Sequence, residues 1–426
     1  MVPSIQKKLF QDVDEHIAFY VGAWKQLYVQ LSHIAHYVDS QKILEAVIAQ
    51  LQQRGIQAQI LSEQIPLIYG ELPAGAPHTL LFYHRYDMRA PALQELEAIA
   101  ALFSALEVCK KVSGLVPVNI KWLLDGSGKD HPELSRSLEE HCDLLQADAC
   151  IWDYAREAGE DDTPVLALGT KGRLCAELEV QTFSTAVDVM HGAIAPNALW
   201  RLLWALNSLK DTQEDVKIEG FYDTLTPAQD DIIAALYTLP ENARTLCQHW
   251  GLQQLLLDLQ GFQLHYAHLL MPTCTVTAIT SNTTEDPSVT TIPAHAKAWI
   301  DFHLVPDQDP QDIFAKLQQH LQFHGFQDVR ARMLYGIRPT ITSIGDPFVQ
   351  VVIRATEKAY EQPPYLLPLT VGSYALYPLR KKLSVPIVLS ERNGRIADAS
   401  RKTFAATIKQ LAMIIEETAY ATDRTN

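Results

Sequence analysis

Short apolar runs that stop abruptly at charged or polar side chains recur through the first third of the chain. The clearest run is residues 80–83, Leu-Leu-Phe-Tyr, which is followed by His84, Arg85 and Asp87. Runs of this kind are typical of strands that are buried on both faces of an α/β sheet. Because the working groups of such sheets lie just beyond the carboxyl ends of the strands, we expect a site here.

Two later runs, residues 116–124 and 149–152, end in the same way at Asp125 and Asp153. The carboxyl ends of parallel strands lie at one edge of a sheet. If the three strands are neighbours, Asp87, Asp125 and Asp153 line one crevice. This row of acids is the sharpest purely physical indication of a site in the sequence.

Segments with apolar residues at helical spacing separate or precede these runs. Residues 15–38, 41–54 and 92–110 are predicted helices. Strands that alternate with helices indicate parallel βαβ units and therefore an α/β domain. In the third helix a single apolar stripe is formed by Leu93, Leu96, Ile99, Leu102, Phe103 and Leu106.

The pattern changes in the middle of the chain, and the βα alternation resumes near its end. The middle part predicts an α+β module, an antiparallel sheet with helices on one side. Within it, residues 174–183 are predicted to be an exposed strand and residues 243–260 a helix. We therefore predict one domain of residues 1–172 and 341–426, interrupted by a second domain of residues 173–340.

Length and charge narrow the class of protein. The chain has 426 residues and a formal net charge of −15, which disfavours nucleic acid and anionic membranes as partners. Its six cysteines are scattered without a Cys-x-x-Cys pair, as expected for free thiols in a reducing compartment. With no signal segment or membrane span in the sequence, we expect a cytoplasmic protein.

Two stretches of the chain resemble a known family. Residues 216–223, Val-Lys-Ile-Glu-Gly-Phe-Tyr-Asp, and residues 291–310, which close with Val-Pro-Asp-Gln-Asp-Pro, resemble the M20 metallopeptidases, especially their dipeptidase and carboxypeptidase branch. The resemblance implies a phosphorylase/hydrolase-like α/β zinc-peptidase domain. It also implies a ferredoxin-like lid that interrupts this domain and through which family members commonly form homodimers.

The resemblance also implies a chemistry. In that family two zinc ions are held by His, Asp and Glu at strand ends, and a Glu acts as general base on a bridging water. Two cations lower the pKa of the shared water and stabilise the developing oxyanion, while the carboxylate takes the proton.

This sequence departs from the family at most ligand positions. Arg85 stands where the family has a His, whereas Asp87 and Asp153 match retained acids. The Glu-Glu pair of the family, base then ligand, aligns with Gly128 and Lys129.

Near the C-terminus, residues 395–400 lack the expected His ligand. Gly372 and Ser373, predicted to lie in a loop, retain half of a Gly-Gly-Ser segment that lines the substrate site of the family.

We therefore expect a non-catalytic homologue that needs no cofactor because the ancestral zinc has been lost. Arg85 and Lys129 would replace the metals electrostatically and, with Gly372 and Ser373, bind a ligand. That ligand would be a peptide, an amino-acid-like molecule or a partner protein.

Two alternatives keep an activity. In the first, an enzyme acts without metal on an amide or amino-acid-like substrate, with Asp87, Ser127, His131 and Asp153 as candidate catalytic groups beside Arg85. In the second, an active metallopeptidase uses displaced ligands, namely His84, Asp87, Asp153 and His131.

Overall fold

The larger of two sheets forms the centre of the first domain. The computed structural model describes residues 3–36, 40–62, 66–85, 93–126, 132–156, 163–185, 187–281, 290–374, 376–393 and 399–420. The eight described strands of this sheet lie side by side in the order β1 (Gln57–Ser62), β2 (Leu67–Leu72), β4 (Asn119–Asp125), β3 (Thr79–Arg85), β5 (Ala149–Arg156), β16 (Ile387–Asn393), β6 (Val165–Ala167) and β14 (Tyr365–Leu367).

The centre of this sheet is parallel. β3 pairs in parallel with β4 and β5, and β16 pairs in parallel with β5. β2 and β6 run antiparallel to their neighbours β4 and β16. The carboxyl ends of β3, β4, β5 and β16 therefore lie along one edge of the sheet, as predicted for the first three.

Helices cover both faces of the larger sheet. Alternate strand residues point to opposite faces, so each strand contributes to two cores. One core contains Phe82 and Trp122 and is covered by α1 (Pro3–His36), α2 (Ser40–Gln53), α3 (Leu93–Ser113), α10 (Pro347–Tyr360) and α12 (Ala399–Ala419). The other contains Tyr83 and Trp152 and is covered by α4 (Pro132–Glu140) and α11 (Tyr377–Lys382).

Two of these helices show how far apolar periodicity predicts structure. The predicted stripe of α3 is buried from Leu96 to Leu106. α1 begins earlier than predicted, because Leu9 and Val13, both fully buried, continue its apolar face by helical spacing towards the N-terminus.

No helix in the described ranges is long and apolar enough to cross a membrane.

The smaller sheet is the inserted module. Its four long strands in the described region lie in the order β12 (Val329–Ile337), β7 (Gly169–Gln181), β11 (His295–Leu304) and β9 (Thr273–Ser281), all antiparallel. Helices α5 (Ala198–Leu209) and α9 (Pro310–Phe323) pack on it. The chain order β7-α5-β9-β11-α9-β12 with this strand order is the ferredoxin-like arrangement, which confirms the predicted fold.

Strand β7 connects the two modules. Its first residues pair with β13 (Thr340–Ile341) and β15 (Thr370–Ser373), and the rest pairs with β11 and β12. The prediction of an exposed strand here was wrong, because β7 is central and buries Leu174, Ala176, Leu178 and Val180 completely. At Gly172 a Cβ atom would lie 2.6 Å from Cδ of Pro339, so only glycine permits this close approach.

The insert also contains shorter elements. Between α5 and β9 lie α6 (Asp230–Thr238), α7 (Ala243–Trp250), a 3-10 turn at Leu256–Asp258 and α8 (Gly261–Leu270). Before α5 come β8 (Val187–Asp188) and a 3-10 turn at Val189–His191, and β8 pairs with β10 (Thr291–Ile292), which follows β9. The prediction of one helix over residues 243–260 was wrong. α7 stops because Gly251 adopts a left-handed conformation, with φ of 68°.

Candidate functional site

A buried ion pair lies at the carboxyl edge of the larger sheet. Arg85 ends β3 directly opposite Asp125, which ends β4. The Asp125 side chain is fully buried, and its Oδ2 atom lies 3.8 Å from Nε of Arg85. The hydroxyl of Tyr83 donates a hydrogen bond of 2.7 Å to the same Oδ2. A phenol and a guanidinium thus share one buried carboxylate, which offsets part of the cost of removing its charge from water.

Aromatic rings continue this arrangement away from Asp125. The guanidinium carbon of Arg85 lies 5.4 Å from the ring centre of Tyr374, within the range of a cation–π contact. The Tyr374 ring meets Trp152 edge-on at 4.4 Å, and Trp152 meets Tyr83 edge-on at 5.1 Å. Sequence reasoning missed all three aromatic residues, although Tyr83 and Trp152 stand in the apolar runs that predicted the strands.

The structure brings further acids to the same edge. Asp153 follows Trp152 on β5 and is 1 % exposed. It is in register with Ser390 of β16, and the next residue on that strand, Glu391, is 8 % exposed. Asp125 and Asp153 therefore lie on the two strands that flank β3. Glu391 was missed because the apolar run that predicts this strand, residues 387–389, ends before it.

Gly372 and Ser373 belong to β15 and not to a loop, so that prediction was wrong. The Ser373 hydroxyl donates to the carbonyl oxygen of Gly172 at 2.9 Å, which ties β15 to β7. A Cβ atom on Gly372 would lie 2.9 Å from the ring of Tyr374. The glycine thereby leaves room for the ring that contacts Arg85.

His84 lies on the other face of β3. It is fully buried, and its Nδ1 atom accepts a 2.9 Å hydrogen bond from Nε1 of Trp122. This bond assigns the neutral ring a proton on Nε2. The packing of His84 beside Trp122 under α3 is that of a core residue.

Four other predicted site residues, Asp87, Ser127, Lys129 and His131, lie outside the described residues, as does most of the 395–400 segment. Within the described ranges, no group of three or more His, Cys, Asp or Glu side chains is placed to hold a metal ion.

Comparison with known proteins identifies the inserted module and the fold. A family model described as the peptidase dimerisation domain of the M20 family matches residues 169–329. An M20 family metallo-carboxypeptidase from Sulfolobus solfataricus superposes with a TM-score of 0.79 over 88 % of this chain and 94 % of that chain, at 23 % identity. The inserted module thus matches the M20 peptidase dimerisation domain, and the chain shares the fold of this metallo-carboxypeptidase.

Other structures of the same fold cover nearly the whole chain. A di-peptidase from Saccharomyces cerevisiae, Dug1p, gives a TM-score of 0.75 at 15 % identity and covers 99 % of each chain. Human carnosine dipeptidase 1 gives 0.74 at 18 % identity and covers 98 % of this chain and 99 % of that chain.

A curated relative matches by sequence. The Beta-Ala-His dipeptidase of Mus musculus is 23 % identical over 278 residues, which is 61 % of this chain. The chain matches 53 %, or about half, of the length of the mouse protein.

Proposed function

We propose that this M20-like chain is a pseudoenzyme, which binds a peptide or amino-acid-like ligand in the crevice beyond β3, β4 and β5 without zinc. The observation that carries the proposal is the position of the Arg85 guanidinium. It lies beside the buried Asp125 carboxylate, at the edge of the sheet where the sequence predicts a binding site.

The described residues of the crevice do not fit a pair of zinc ions. Zinc needs lone-pair donors such as imidazole, thiolate and carboxylate, and Arg85 offers only N–H donors on a permanent cation. A fixed positive charge 3.8 Å from Asp125 repels a second cation there, and Tyr83 already bonds the same oxygen. The acids on the adjoining strands, Asp153 and Glu391, supply carboxylates alone.

The same residues suit an organic ligand. The Arg85 side chain is 17 % exposed, so part of its donor fork can reach a ligand carboxylate from the crevice. Tyr374, which packs on the buried Trp152, provides an aromatic wall next to it. A peptide with a free terminal carboxylate satisfies both the charge and the apolar surface.

The dipeptide β-alanyl-histidine, named for the mouse relative, is the first ligand to test. We expect calorimetry to show binding that survives prior treatment with a chelator and that weakens when the carboxyl group is amidated. Arg85→Gln should weaken binding about tenfold, the loss of one charge-assisted contact. Arg201→Gln, which removes a more exposed ion pair with Asp328 on the insert, should leave it unchanged.

Metal analysis of the purified protein separates this proposal from its alternatives. Zinc near two ions per chain, together with hydrolysis that a chelator abolishes, would restore a metallopeptidase with displaced ligands. Chelator-resistant hydrolysis that Asp153→Asn abolishes would instead establish a metal-independent enzyme.

We also propose a homodimer through strand β9 of the inserted module. β9 is an edge strand, paired only with β11 in the described structure, and it exposes Val276 and Ile279. On α5, the rings of Trp200 and Trp204 stack 6.1 Å apart and each side chain is 56 % exposed.

The opposite edge of the sheet is less suited to a second copy. β12 points Arg330 and Arg332 outward, and charged side chains on an edge strand discourage pairing. β9 and the end of α5 line one depression, in which Val276 of β9 lies near Leu206 of α5. The match to a peptidase dimerisation domain supports a second copy of this chain as the occupant.

Charge placed on β9 should therefore dissociate the dimer. We expect Val276→Lys with Ile279→Lys to shift the sedimentation coefficient from dimer to monomer at micromolar protein, without a change in circular dichroism. Leu334→Lys on β12, also a partly exposed edge position, is the matched control and should remain dimeric. A double variant that stays dimeric would place the interface elsewhere.

The free state of the cysteines supports a reducing compartment as the location of the protein. All six cysteines, each within the described ranges, are free, and Cys109, Cys150 and Cys274 are buried. We propose the cytoplasm as the location, since such thiols persist there without pairing.

A further inference from the structure

Lys171 is a buried cation at the start of β7. The residue is 3 % exposed, and its Nζ atom donates to the carbonyl oxygen of Met271 at 2.8 Å. In the part of the chain that the structure describes, no carboxylate lies within 4 Å of this ammonium. A buried charge with one neutral acceptor and no counterion is costly, which makes Lys171 unusual among buried lysines.

Other basic groups surround this ammonium. Residues 171 and 173 of β7 point to the same face, and Arg173 is opposite His303 of β11. His268 lies in the last turn of α8, just before Met271. The acid of this group, Asp301, accepts a 2.7 Å bond from Arg173, and its other oxygen is 3.9 Å from Nδ1 of His303.

The electrostatics show an excess of positive charge. Burial lowers the pKa of Lys171 to about 8. Loss of solvent lowers the pKa of His268 and of His303, and the charge of Lys171 lowers both further. At His268 the neighbouring His265 adds to this effect, while at His303 Asp301 opposes it. These groups therefore repel one another's protons, and a bound anion would reverse the effect.

We propose that Lys171, His268 and His303 form a binding site for a small oxyanion, either a carboxylate or a phosphate. An oxyanion can accept the N–H groups of Lys171 that Met271 does not use, and it provides the missing counter-charge. Since Lys171 is in register with Ser373, which precedes Tyr374, this site adjoins the segment that contacts Arg85 but uses different side chains. It does not depend on the pseudoenzyme proposal.

Thermal melts in phosphate, acetate or chloride at equal ionic strength test the site. We expect saturable stabilisation of about 3 °C by one of the two oxyanions at pH 6, and less at pH 8, where the histidines are neutral. The better anion identifies the source, phosphate for a phosphorylated ligand and acetate for a carboxylate. Chloride that stabilises equally at every concentration would show ionic screening alone and overturn the proposal.

Variants assign the effect to these residues. Lys171→Met should fold, because it removes an uncompensated charge and keeps the volume, and should lose the anion response. Lys297→Met, on the same sheet face, removes a lysine that already has Glu177 and Glu179 as partners, and should keep the response. An unchanged response in Lys171→Met would overturn the site.

Histidine titration by NMR gives a second measurement if Lys171→Met does not fold. In the native protein the oxyanion should raise the pKa of His268 and His303 towards the ordinary value. His303→Gln should weaken anion binding about threefold to tenfold. Titration curves that do not move with saturating oxyanion would contradict the proposal.

Discussion

Replacing Arg85 with methionine should destabilise the protein by about 3 kcal/mol, because the variant removes the guanidinium that pairs with a fully buried carboxylate, Asp125. Asp125 would retain the hydrogen bond from Tyr83, so the loss is smaller than for complete isolation of the charge. Chemical denaturation monitored by circular dichroism measures the change. The measured quantity is the free energy of unfolding extrapolated to zero denaturant.

A double-mutant cycle assigns this loss to the pair. Asp125→Asn alone should also destabilise, but Arg85→Met in the Asp125→Asn background should cost about 2 kcal/mol less than in the native background. Arg201→Met is the control, since its ion pair with Asp328 is half-exposed and should contribute less than about 1 kcal/mol. If Arg85→Met has the same free energy of unfolding as the native protein, Arg85 does not replace a metal charge in the crevice.

Raising the pH from about 8 to about 10 should relieve the penalty of burying Lys171. Its pKa is about 8 in the folded protein against an ordinary value of 10.5, so between these values the unfolded chain binds more protons. Stability therefore rises with pH in this window, and the full penalty of about 3 kcal/mol is present below pH 8.

The difference between the native protein and Lys171→Met isolates this effect. Other groups titrate nearby, since burial also raises the pKa of Tyr20 and Tyr69 and makes the fold less stable above pH 10. Both tyrosines are present in both proteins, so their contribution cancels in the difference. We expect Lys171→Met to lose its stability advantage as the pH approaches 10. A constant difference across the window would show that Lys171 keeps an ordinary pKa.

Local pattern predicted the elements best where the apolar period was long and uninterrupted. The apolar spacing of residues 198–209 predicts a helix, and α5 spans Ala198–Leu209. The alternation of residues 57–62 predicts a strand, and β1 spans Gln57–Ser62. Exposure was predicted less well, since the alternating pattern of β7 also suits a central strand with charged residues on one face. Glu177 and Asp301 on that face are buried among partners from neighbouring strands.

The candidate site was predicted in part. The ends of the predicted strands identified Arg85, Asp125 and Asp153 as candidates, because an apolar run that stops at a charged residue can be recognised in the sequence. The choice of Asp125 as an ion-pair partner of Arg85 depends on the register between β3 and β4. Tyr374 could not be predicted, since it meets Arg85 only after β15 pairs with β7.

By itself, the sequence determined that an α/β domain is interrupted by an α+β module and that charged groups end the central strands. Periodicity and the ends of apolar runs are local properties, so they can be recognised from the sequence alone. Only the tertiary structure decided that Arg85 lies between a buried carboxylate and an aromatic ring, and that Lys171 is buried without a described counterion. Both facts depend on which strands are neighbours, because burial and charge pairing are made by residues far apart in the chain.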